Sequence, residues 1–572
     1  MPTTFQPQLD PLGSVWLSAV VALLPLLTIF LTLGLLRWKA HKAGLTALLV
    51  AILVAVLAFK MPAGLALLAA TQGAVFGLFP IVWIVFTAIA LYQVTVVSGR
   101  FEDLRAVFNL ISDDPRVQAM LIAFCFGGLL EALAGFGAPV AITGVMLMAV
   151  GFSALRAASI VLLANTAPVA FGAIAIPIIT AGNLTKIPYT DIGAYVGRQT
   201  PLLALFVPLF LVLLADGRRG LRQCWPVALV TGVSFGIAQF ISSNYLSVEL
   251  TDIVASLVGL GAAVVLLRFW QPAGTTEAYA AIHADRTAER SAMTAEELAG
   301  LPAGTDGVEA RRGLDAARIW MALFPYLLVI VVFSVAKLFT PVKNFLVGDS
   351  AVKGSYGTDV KIPWPGLDGQ LLTGAGKPST STVYTFQWLS SPGTMLLICA
   401  FVVAAVYRVS MRDTLGVIGQ TAHKLRFSMV TIASVLALAY VMNFSGQTIT
   451  IGTWIAGTGA AFAFFSPILG WLGTAVTGSD TSANALFATL QQTAATKAGI
   501  DPTLLVAANT AGGVVGKMVS PQNLTIAATA VGLLGRESDI LRKVIWWSLG
   551  MLVALCLLVG LQSTPVLGWM LP

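Results

Sequence analysis

Long apolar runs separated by short polar segments dominate the chain. Twelve of these runs are close to the ~20 residues that an α-helix needs to cross a bilayer. They lie at 15–36, 43–59, 73–98, 157–180, 193–214, 224–243, 248–268, 319–339, 391–407, 427–443, 503–527 and 545–567. The pattern predicts an all-α polytopic membrane protein with about 12 transmembrane helices.

Two further apolar stretches, 117–151 and 452–498, are interrupted by glycine, proline and polar residues. Basic residues mark cytoplasmic segments, and here they form five clusters: Arg37, Lys39 and Lys42; Arg100, Arg105 and Arg116; Arg218, Arg219 and Arg222; Arg408, Arg412, Lys424 and Arg426; Arg536, Arg542 and Lys543. All five clusters face the cytoplasm only if each interrupted stretch enters and leaves by the same side. The charges therefore predict two re-entrant hairpins, with both chain termini outside.

Composition excludes the main soluble classes. The 572 residues are 57% hydrophobic and 10% charged, with a mean hydropathy of +0.87. A soluble enzyme or a nucleic-acid binder is therefore excluded, and the net charge of +7 informs orientation in the lipid bilayer. The four cysteines and three histidines lack metal-site spacing, so we expect no metal and no cofactor.

The order of the runs suggests four parts. We expect scaffold helices at 1–63, a first repeat at 64–228, connecting helices at 229–407 and a second repeat at 408–572. The connecting part contains two polar loops. The loop 269–318 is rich in Ala, Glu and Arg and predicts a short cytoplasmic surface helix, whereas 341–390 is rich in Gly, Ser, Thr and Pro and predicts an irregular external loop.

An internal repeat gives the most specific functional signal. At an offset of 344 residues, six positions are identical: Ala164 to Ala167 with Ala508 to Ala511, Gly172 with Gly516, and Pro177 with Pro521. By the charge assignment the two copies run in opposite directions. Inverted repeats with interrupted apolar segments are typical of secondary transporters. A channel is disfavoured, because it would need a continuous polar pore and the polar residues here concentrate in two short breaks. A hydrolase is disfavoured too, because it would need an activated nucleophile and no intramembrane histidine is present to complete a triad.

The interrupted segments supply candidate substrate ligands. Backbone that leaves a helix at membrane depth is tolerated in protein interiors or water-filled cavities, and free helix N-termini attract carboxylates. The candidate substrate-binding residues are Gly135, Gly137, Asn165, Thr166, Ser479, Thr481, Ser482, Asn484, Asn509, Thr510 and Lys517. Alternatively, the Ser, Thr and Asn side chains hold helices together.

Three ionisable residues lie inside these segments: Glu131, Asp480 and Lys517. Because a charge at bilayer depth is costly, each should be paired, neutralised or functional. The two acids are candidate proton carriers, and the lysine would hold the substrate anion, neutralise an acid or extend to the cytoplasmic surface. We expect the two hairpin tips to approach each other, close to helix breaks at 165–168 and 509–513.

Several motifs resemble one family, the L-lactate permeases. They are Glu131 to Pro139 with Val140 to Thr143, Ala164 to Gly172 with Pro177, Gly478 to Ser482 with Asn484 to Phe487, Ala508 to Gln522, and Glu537 to Asp539. The resemblance implies import of L-lactate, with D-lactate or glycolate as relatives, in symport with protons across the bacterial cytoplasmic (inner) membrane. It also implies two re-entrant hairpins and a moving transport domain, as in the wider ion-transporter group.

The residues by themselves leave the coupling ion and the assembly open. The same Asn, Thr and carbonyl groups also coordinate sodium, so a sodium-coupled carrier of carboxylates or dicarboxylates is the alternative. The expected partners are a small hydroxymonocarboxylate anion, protons and the bilayer, with no nucleic acid. A homodimer is one candidate assembly.

Overall fold

The computed structural model describes residues 4–36, 38–101, 103, 111–134, 137–293, 315–348, 357–372, 378–533 and 536–572. Helices dominate this part of the chain. It contains nine helices that are long and apolar enough to cross a membrane, or ten if the bent pair Ala154–Ala164 and Val169–Thr185 counts as one span. The polytopic helical class is confirmed, whereas the predicted number of about twelve spans is not.

The helices of the first half follow the apolar runs closely. The N-terminal part contains Val15–Ala22, Leu24–Ile29, Ala40–Leu57, Ala63–Phe76 and Trp83–Val97, with π-helical segments at Phe30–Leu35 and Gly77–Val82. The next part contains Pro115–Met120, Leu121–Phe126 (π), Gly127–Ala134, Ala138–Val150, Ala154–Ala164, Val169–Phe171 (3-10), Gly172–Thr185, Tyr189–Val196, Thr200–Ala204 and Val207–Ile241. The predicted runs 193–214 and 224–243 meet within the last of these helices, where Asp216 and Gly217 leave helical backbone geometry.

The second half adds a small sheet to the helices. The middle part contains Ser242–Leu246 (π), Thr251–Leu267, Thr275–Ser291, Ala316–Leu338, Thr340–Val347 and Pro392–Val406, with 3-10 turn Thr380–Thr382 and strands Val360–Pro363 and Val383–Phe386. The last part contains Met411–Ser445, Gln447–Ala456, Gly459–Ala461 (3-10), Phe462–Thr477, Asp480–Ala498, Pro502–Gly516, Lys517–Val519 (3-10), Pro521–Val531, Glu537–Gln562 and Gly568–Met570 (3-10).

The structure agrees with the prediction for one of the two long polar loops and only in part for the other. The predicted surface helix in 269–318 is present at Thr275–Ser291. The prediction of an irregular loop at 341–390 is wrong in part, because two strands pair antiparallel there with Val360 opposite Phe386. The second strand is rich in β-branched and aromatic residues that favour strands. Residues 294–314, 349–356 and 373–377 of these loops lie outside the described part of the chain.

Each interrupted stretch forms a helical hairpin. In the first hairpin, the arm that ends with Gly127–Ala134 packs against Ala138–Val150. In the second hairpin, Phe462–Thr477 packs against Asp480–Ala498. The second hairpin begins later than the predicted 452, because Gly452 still belongs to the preceding helix Gln447–Ala456.

The helix that follows each hairpin is broken, although the second break is not where the sequence predicted it. The first broken helix bends by 62° between Ala164 and Val169. The second continues through 509–513 and ends at Gly516, so the predicted break there is wrong. Glycine lets this helix approach its neighbour, since a Cβ on Gly512 would lie 2.0 Å from the Pro467 carbonyl oxygen. The actual break precedes Pro521, which lacks a backbone N–H.

The segments of the two sequence repeats pack against each other in a crossed arrangement. The helix Gly172–Thr185 of the first repeat packs against Asp480–Ala498 in the second hairpin. Reciprocally, Pro521–Val531 of the second repeat packs against Ala138–Val150 in the first hairpin. Each hairpin therefore contacts the broken helix of the opposite repeat, and this crossing positions the polar side chains described next.

Candidate functional site

A buried ion pair connects the two repeats. Lys517 Nζ donates to Glu131 Oε1 at 2.7 Å, and Asn165 Nδ2 donates to Glu131 Oε2 at 2.9 Å. Glu131 is 3% exposed and Lys517 is 7% exposed, so the lysine does not extend to a surface. The paired charges satisfy each other where either charge alone would be costly.

The tip of the second hairpin presents a helix N-terminus beside this pair. Gly478 has a φ of 75°, which a residue with a side chain rarely adopts. Ser479 then caps the helix Asp480–Ala498, because its Oγ accepts from the Ser482 N–H at 3.3 Å. An uncovered helix N-terminus carries partial positive charge and free N–H groups, which suit an anion.

The first broken helix approaches the ion pair with unusual backbone. A Cβ on Gly172 would lie 2.9 Å from Glu131 Oε1, so glycine is required for this close approach. Ala173, Ile174 and Ala175 follow with φ values of 44°, 59° and 57°. Left-handed backbone is unfavourable for residues with a side chain, and such conformations cluster at ligand sites and switch regions.

A small cavity lies between the hairpin tip and the two breaks. Its volume is about 40 Å³, enough for a few waters. Its lining residues come from both repeats: Glu131, Val169, Gly172, Ala173, Ile176, Pro177, Gly478, Ser479, Asp480, Thr481, Lys517, Gln522 and Asn523. Two carboxyl groups, one ammonium group and several neutral polar groups therefore share one buried space.

Asp480 differs from Glu131 in having no such partner. Its side chain is 3% exposed, and neither carboxylate oxygen has a hydrogen-bond partner among the described residues. The carboxylate lies against Gly513, where an added Cβ would be 1.9 Å from Oδ1. A buried carboxyl group without a partner favours the neutral form, which suits a group that exchanges a proton.

Behind the cavity, an amide network joins the second hairpin to both broken helices. Asn484 Oδ1 accepts from Asn509 Nδ2 and from Thr510 Oγ1, each at 3.0 Å. Asn484 Nδ2 donates to the Pro177 carbonyl at 3.3 Å, and Gln491 Nε2 donates to Asn509 Oδ1 at 3.3 Å. The network fixes the position of the hairpin relative to the two helices that flank it.

The structure thus separates the predicted site residues into groups. Five line the cavity, namely Glu131, Ser479, Asp480, Thr481 and Lys517. Others lie beside or behind it: Asn165 on Glu131, Asn484, Asn509 and Thr510 in the amide network, Thr166 bonded to the Leu163 carbonyl, and Ser482 in the first turn of the hairpin helix. Gly137 packs against Ile526, and Gly135 lies outside the described residues.

Sequence reasoning missed several polar residues here. Gln522 and Asn523 line the cavity, and Asn523 Nδ2 donates to the Gly478 carbonyl at 3.3 Å. Their position directly after the repeated Pro521 was the available signal.

Asp252 was also missed, although an acid inside the apolar run 248–268 marks a functional candidate by itself.

Comparison with known proteins identifies relatives over nearly the full length. The family model described as L-lactate permease matches residues 18–566. The L-lactate permease of Bacillus subtilis (strain 168) is 43% identical over 581 residues, covering 98% of each chain. Glycolate permease GlcA of Escherichia coli (strain K12) is 42% identical over 543 residues, covering 94% of each chain.

A match among solved structures is far more distant. The Alcanivorax borkumensis YdaH transporter is 14% identical, with a TM-score of 0.30, and the match covers 78% of this chain and 89% of that one. A score at this level does not establish a shared fold. The family assignment therefore rests on the sequence relatives.

Proposed function

Because this chain belongs to the L-lactate permease family, we propose that it imports L-lactate, and D-lactate or glycolate as related substrates, in symport with protons. The membrane is the bacterial cytoplasmic membrane, which the multi-pass architecture and the bacterial relatives support. The observation that carries the proposal is the Glu131–Lys517 ion pair in a cavity that both repeats line. Secondary transporters place their substrate site at such a repeat interface.

The charges of the cavity favour a single carboxylate. Lys517 is the one cation among the described residues that line it. The substrate carboxylate would bind Lys517 and the N-terminus of the helix Asp480–Ala498, with Ser479 and Thr481 as neutral partners for its oxygens. A dicarboxylate would bring a second negative charge with no second cation to meet it.

Substrate binding and proton binding would be linked through the lysine. A lactate carboxylate that takes Lys517 leaves Glu131 without its charge partner. A buried, unpaired carboxylate is costly, so Glu131 would then bind a proton. Asp480 would provide the second proton position, since it lies in the same cavity and already lacks a partner among the described side chains.

The remaining predicted residues would act by positioning. Asn165 would orient Glu131 through its hydrogen bond. Asn484, Asn509 and Thr510 would hold the second hairpin in place. We assign Gly137, Thr166 and Ser482 to the shape of the hairpin tips and breaks rather than to substrate contact, and Gly135, which lies outside the described residues, stays a predicted substrate ligand.

The proposal includes two re-entrant hairpins in inverted repeats at 64–228 and 408–572, scaffold helices at 1–63 and connecting helices at 229–407. Packing supports the scaffold role, since Ala40–Leu57 contacts Met411–Ser445 of the second repeat. Movement of the hairpins against this frame would open the cavity to each side in turn.

A charged network supports the proposed orientation. Arg116 pairs with Asp114 at 2.7 Å and with Asp216 at 3.1 Å, and Thr275 donates to Asp114 at 3.0 Å. These contacts join three segments that the charge pattern assigned to the cytoplasm. With this network inside the cell, the proposal places both chain termini outside.

Transport by the purified protein in proteoliposomes tests the proposal. An imposed inward proton gradient should drive lactate accumulation, with alkalinisation of the outer medium, and succinate should not compete. Accumulation driven by sodium instead would favour the sodium-coupled alternative and overturn the proton assignment. Light scattering in detergent separately tests whether the candidate homodimer forms.

A further inference from the structure

Asp252 is an acid whose role is not covered by the proposed site. It lies in the first turn of the helix Thr251–Leu267 and is 0% exposed. No atom in the part of the chain that the structure describes meets hydrogen-bond geometry with either carboxylate oxygen, although the Gln239 side chain lies beside the carboxyl group. An anionic carboxylate in this position would be far less stable than the neutral acid.

Two further buried oxygens without described partners belong to the surroundings of Asp252. They are Ser256 Oγ, one helical turn along the same face, and Oε1 of Gln239. Gln239 lies on the neighbouring helix Val207–Ile241, and its side chain interacts with that of Asp252. Oxygen atoms that lack a donor are suited to accept the proton of a neutral carboxyl group.

The helix face that carries Asp252 and Ser256 packs against the hairpin arm that contains Glu131. A Cβ on Gly128 would lie 2.4 Å from Ser256 Oγ, so Ser256 packs against the hairpin arm one turn before Glu131. Asp252 also interacts electrostatically with Glu131 and Lys517. Glu249 is the acidic residue close to Asp252 in the sequence. Unlike Asp252, it accepts hydrogen bonds from the Tyr189 and Ser247 hydroxyl groups.

We propose that Asp252 is an additional proton-binding site, which holds a proton while Glu131 is paired with Lys517 and relays it to Glu131 when substrate occupies the lysine. In this step the O–H bond of Asp252 breaks and an O–H bond forms on Glu131. Asp252 then regains a proton from water on the open side, and Glu131 releases its proton to water on the opposite side when lactate leaves and the pair with Lys517 forms again. One proton enters the site with each lactate anion, so the charge is balanced. This inference rests on the proposed proton symport.

The test compares wild type with Asp252→Asn in proteoliposomes that contain a pH-sensitive dye. Asp252→Asn should reduce lactate-linked proton movement and gradient-driven accumulation at least tenfold, whereas labelled-lactate counterflow without a gradient should fall far less. Glu249→Gln is the matched control, because it also neutralises a buried acid nearby, and it should keep proton movement. Ser256→Ala should slow proton movement without abolishing it.

A second measurement does not depend on folding of the variant. A hydrophobic carbodiimide modifies protonated carboxyl groups in apolar surroundings, so peptide mapping of wild-type protein at pH 7 should find the adduct on Asp252.

The inference would be overturned by the absence of an adduct on Asp252, or by wild-type proton movement and accumulation in Asp252→Asn. Sodium-dependent uptake that Asp252→Asn abolishes would also overturn it and identify a sodium site. If wild type itself moves no protons with lactate, the proposed function fails, and this outcome is distinguishable from failure at Asp252 alone.

Discussion

Lys517 Nζ lies 2.7 Å from Glu131 Oε1, although the two residues are 386 positions apart in the chain. Glu131 belongs to the hairpin of the first repeat, and Lys517 lies at the break in the second repeat. A carrier that moves one repeat against the other has to carry this pair along or exchange it for substrate. In the proposed mechanism, the pair would therefore link substrate binding to conformation.

Removing the lysine charge should weaken substrate binding directly. Lys517→Met keeps the length and apolar stem of the side chain but leaves the lactate carboxylate with neutral donors and a helix N-terminus. A hydrogen bond to a charged group contributes about 1.5–3 kcal/mol, so we expect lactate affinity to fall roughly 10- to 100-fold. Equilibrium binding of lactate to the purified protein measures this affinity.

The control for this variant is Lys497→Met. Lys497 lies in the last turn of the second hairpin helix and is exposed, so its loss removes the same charge without touching the cavity. Unchanged affinity in Lys517→Met would show that the lysine does not contact the substrate.

The ion pair should also contribute to stability. Glu131→Gln leaves Lys517 as a buried charge without its carboxylate, and breaking such a pair costs about 3–5 kcal/mol. The double variant Glu131→Gln with Lys517→Met removes both charges, so thermal stability in detergent should recover most of the loss. Equal destabilisation of the single and double variants would contradict a buried pair.

The sequence identified three ionisable residues that the fold brings to one cavity, and it predicted the local geometry less well. Glu131, Asp480 and Lys517 were identifiable because charges are rare in apolar segments, and all three line one cavity. The break near Asn509 was predicted wrongly, since glycine-rich helix can signal close packing as well as interruption. Contacts between distant segments decide which side chains face the cavity. Those contacts produce no local pattern of residues that could be recognised in a single sequence.

The amide network should be required for transport without contacting the substrate. Asn509→Ala leaves Asn484 and Gln491 with unmet hydrogen-bonding groups, at a cost of about 1–3 kcal/mol. We expect lactate uptake to be lost while protein remains in the membrane. Asn443→Ala is the control, because that half-buried amide donates to Thr489 at 3.3 Å outside the network, and its uptake should persist.

Gly513 should tolerate no side chain. A Cβ there would lie 1.9 Å from Asp480 Oδ1, so Gly513→Ala would displace the carboxylate and strain the contact between hairpin and helix. Overpacking of this kind costs about 1–3 kcal/mol, and we expect strongly reduced uptake. Gly550→Ala should transport normally, since no described atom lies within 4 Å of its added Cβ. Normal uptake by Gly513→Ala would contradict the close packing.

The final prediction concerns proton coupling at Asp480. Asp480→Asn mimics the protonated acid permanently, so lactate should still exchange across the membrane while net proton movement fails. The expected result is a loss of gradient-driven accumulation with surviving counterflow. Glu131→Gln should show this split less cleanly, because it also breaks the pair with Lys517, whereas Asp480 has no hydrogen-bond partner among the described residues to lose.

Both transport modes have to be measured on the same reconstituted protein, because a folding defect would reduce accumulation and counterflow together. A ratio of accumulation to counterflow that falls in Asp480→Asn therefore reports coupling and not the amount of active carrier. Full accumulation in both Asp480→Asn and Glu131→Gln would mean that neither acid carries the proton. The buried carboxyl groups of the cavity would then serve only to position Lys517 and the hairpin tip.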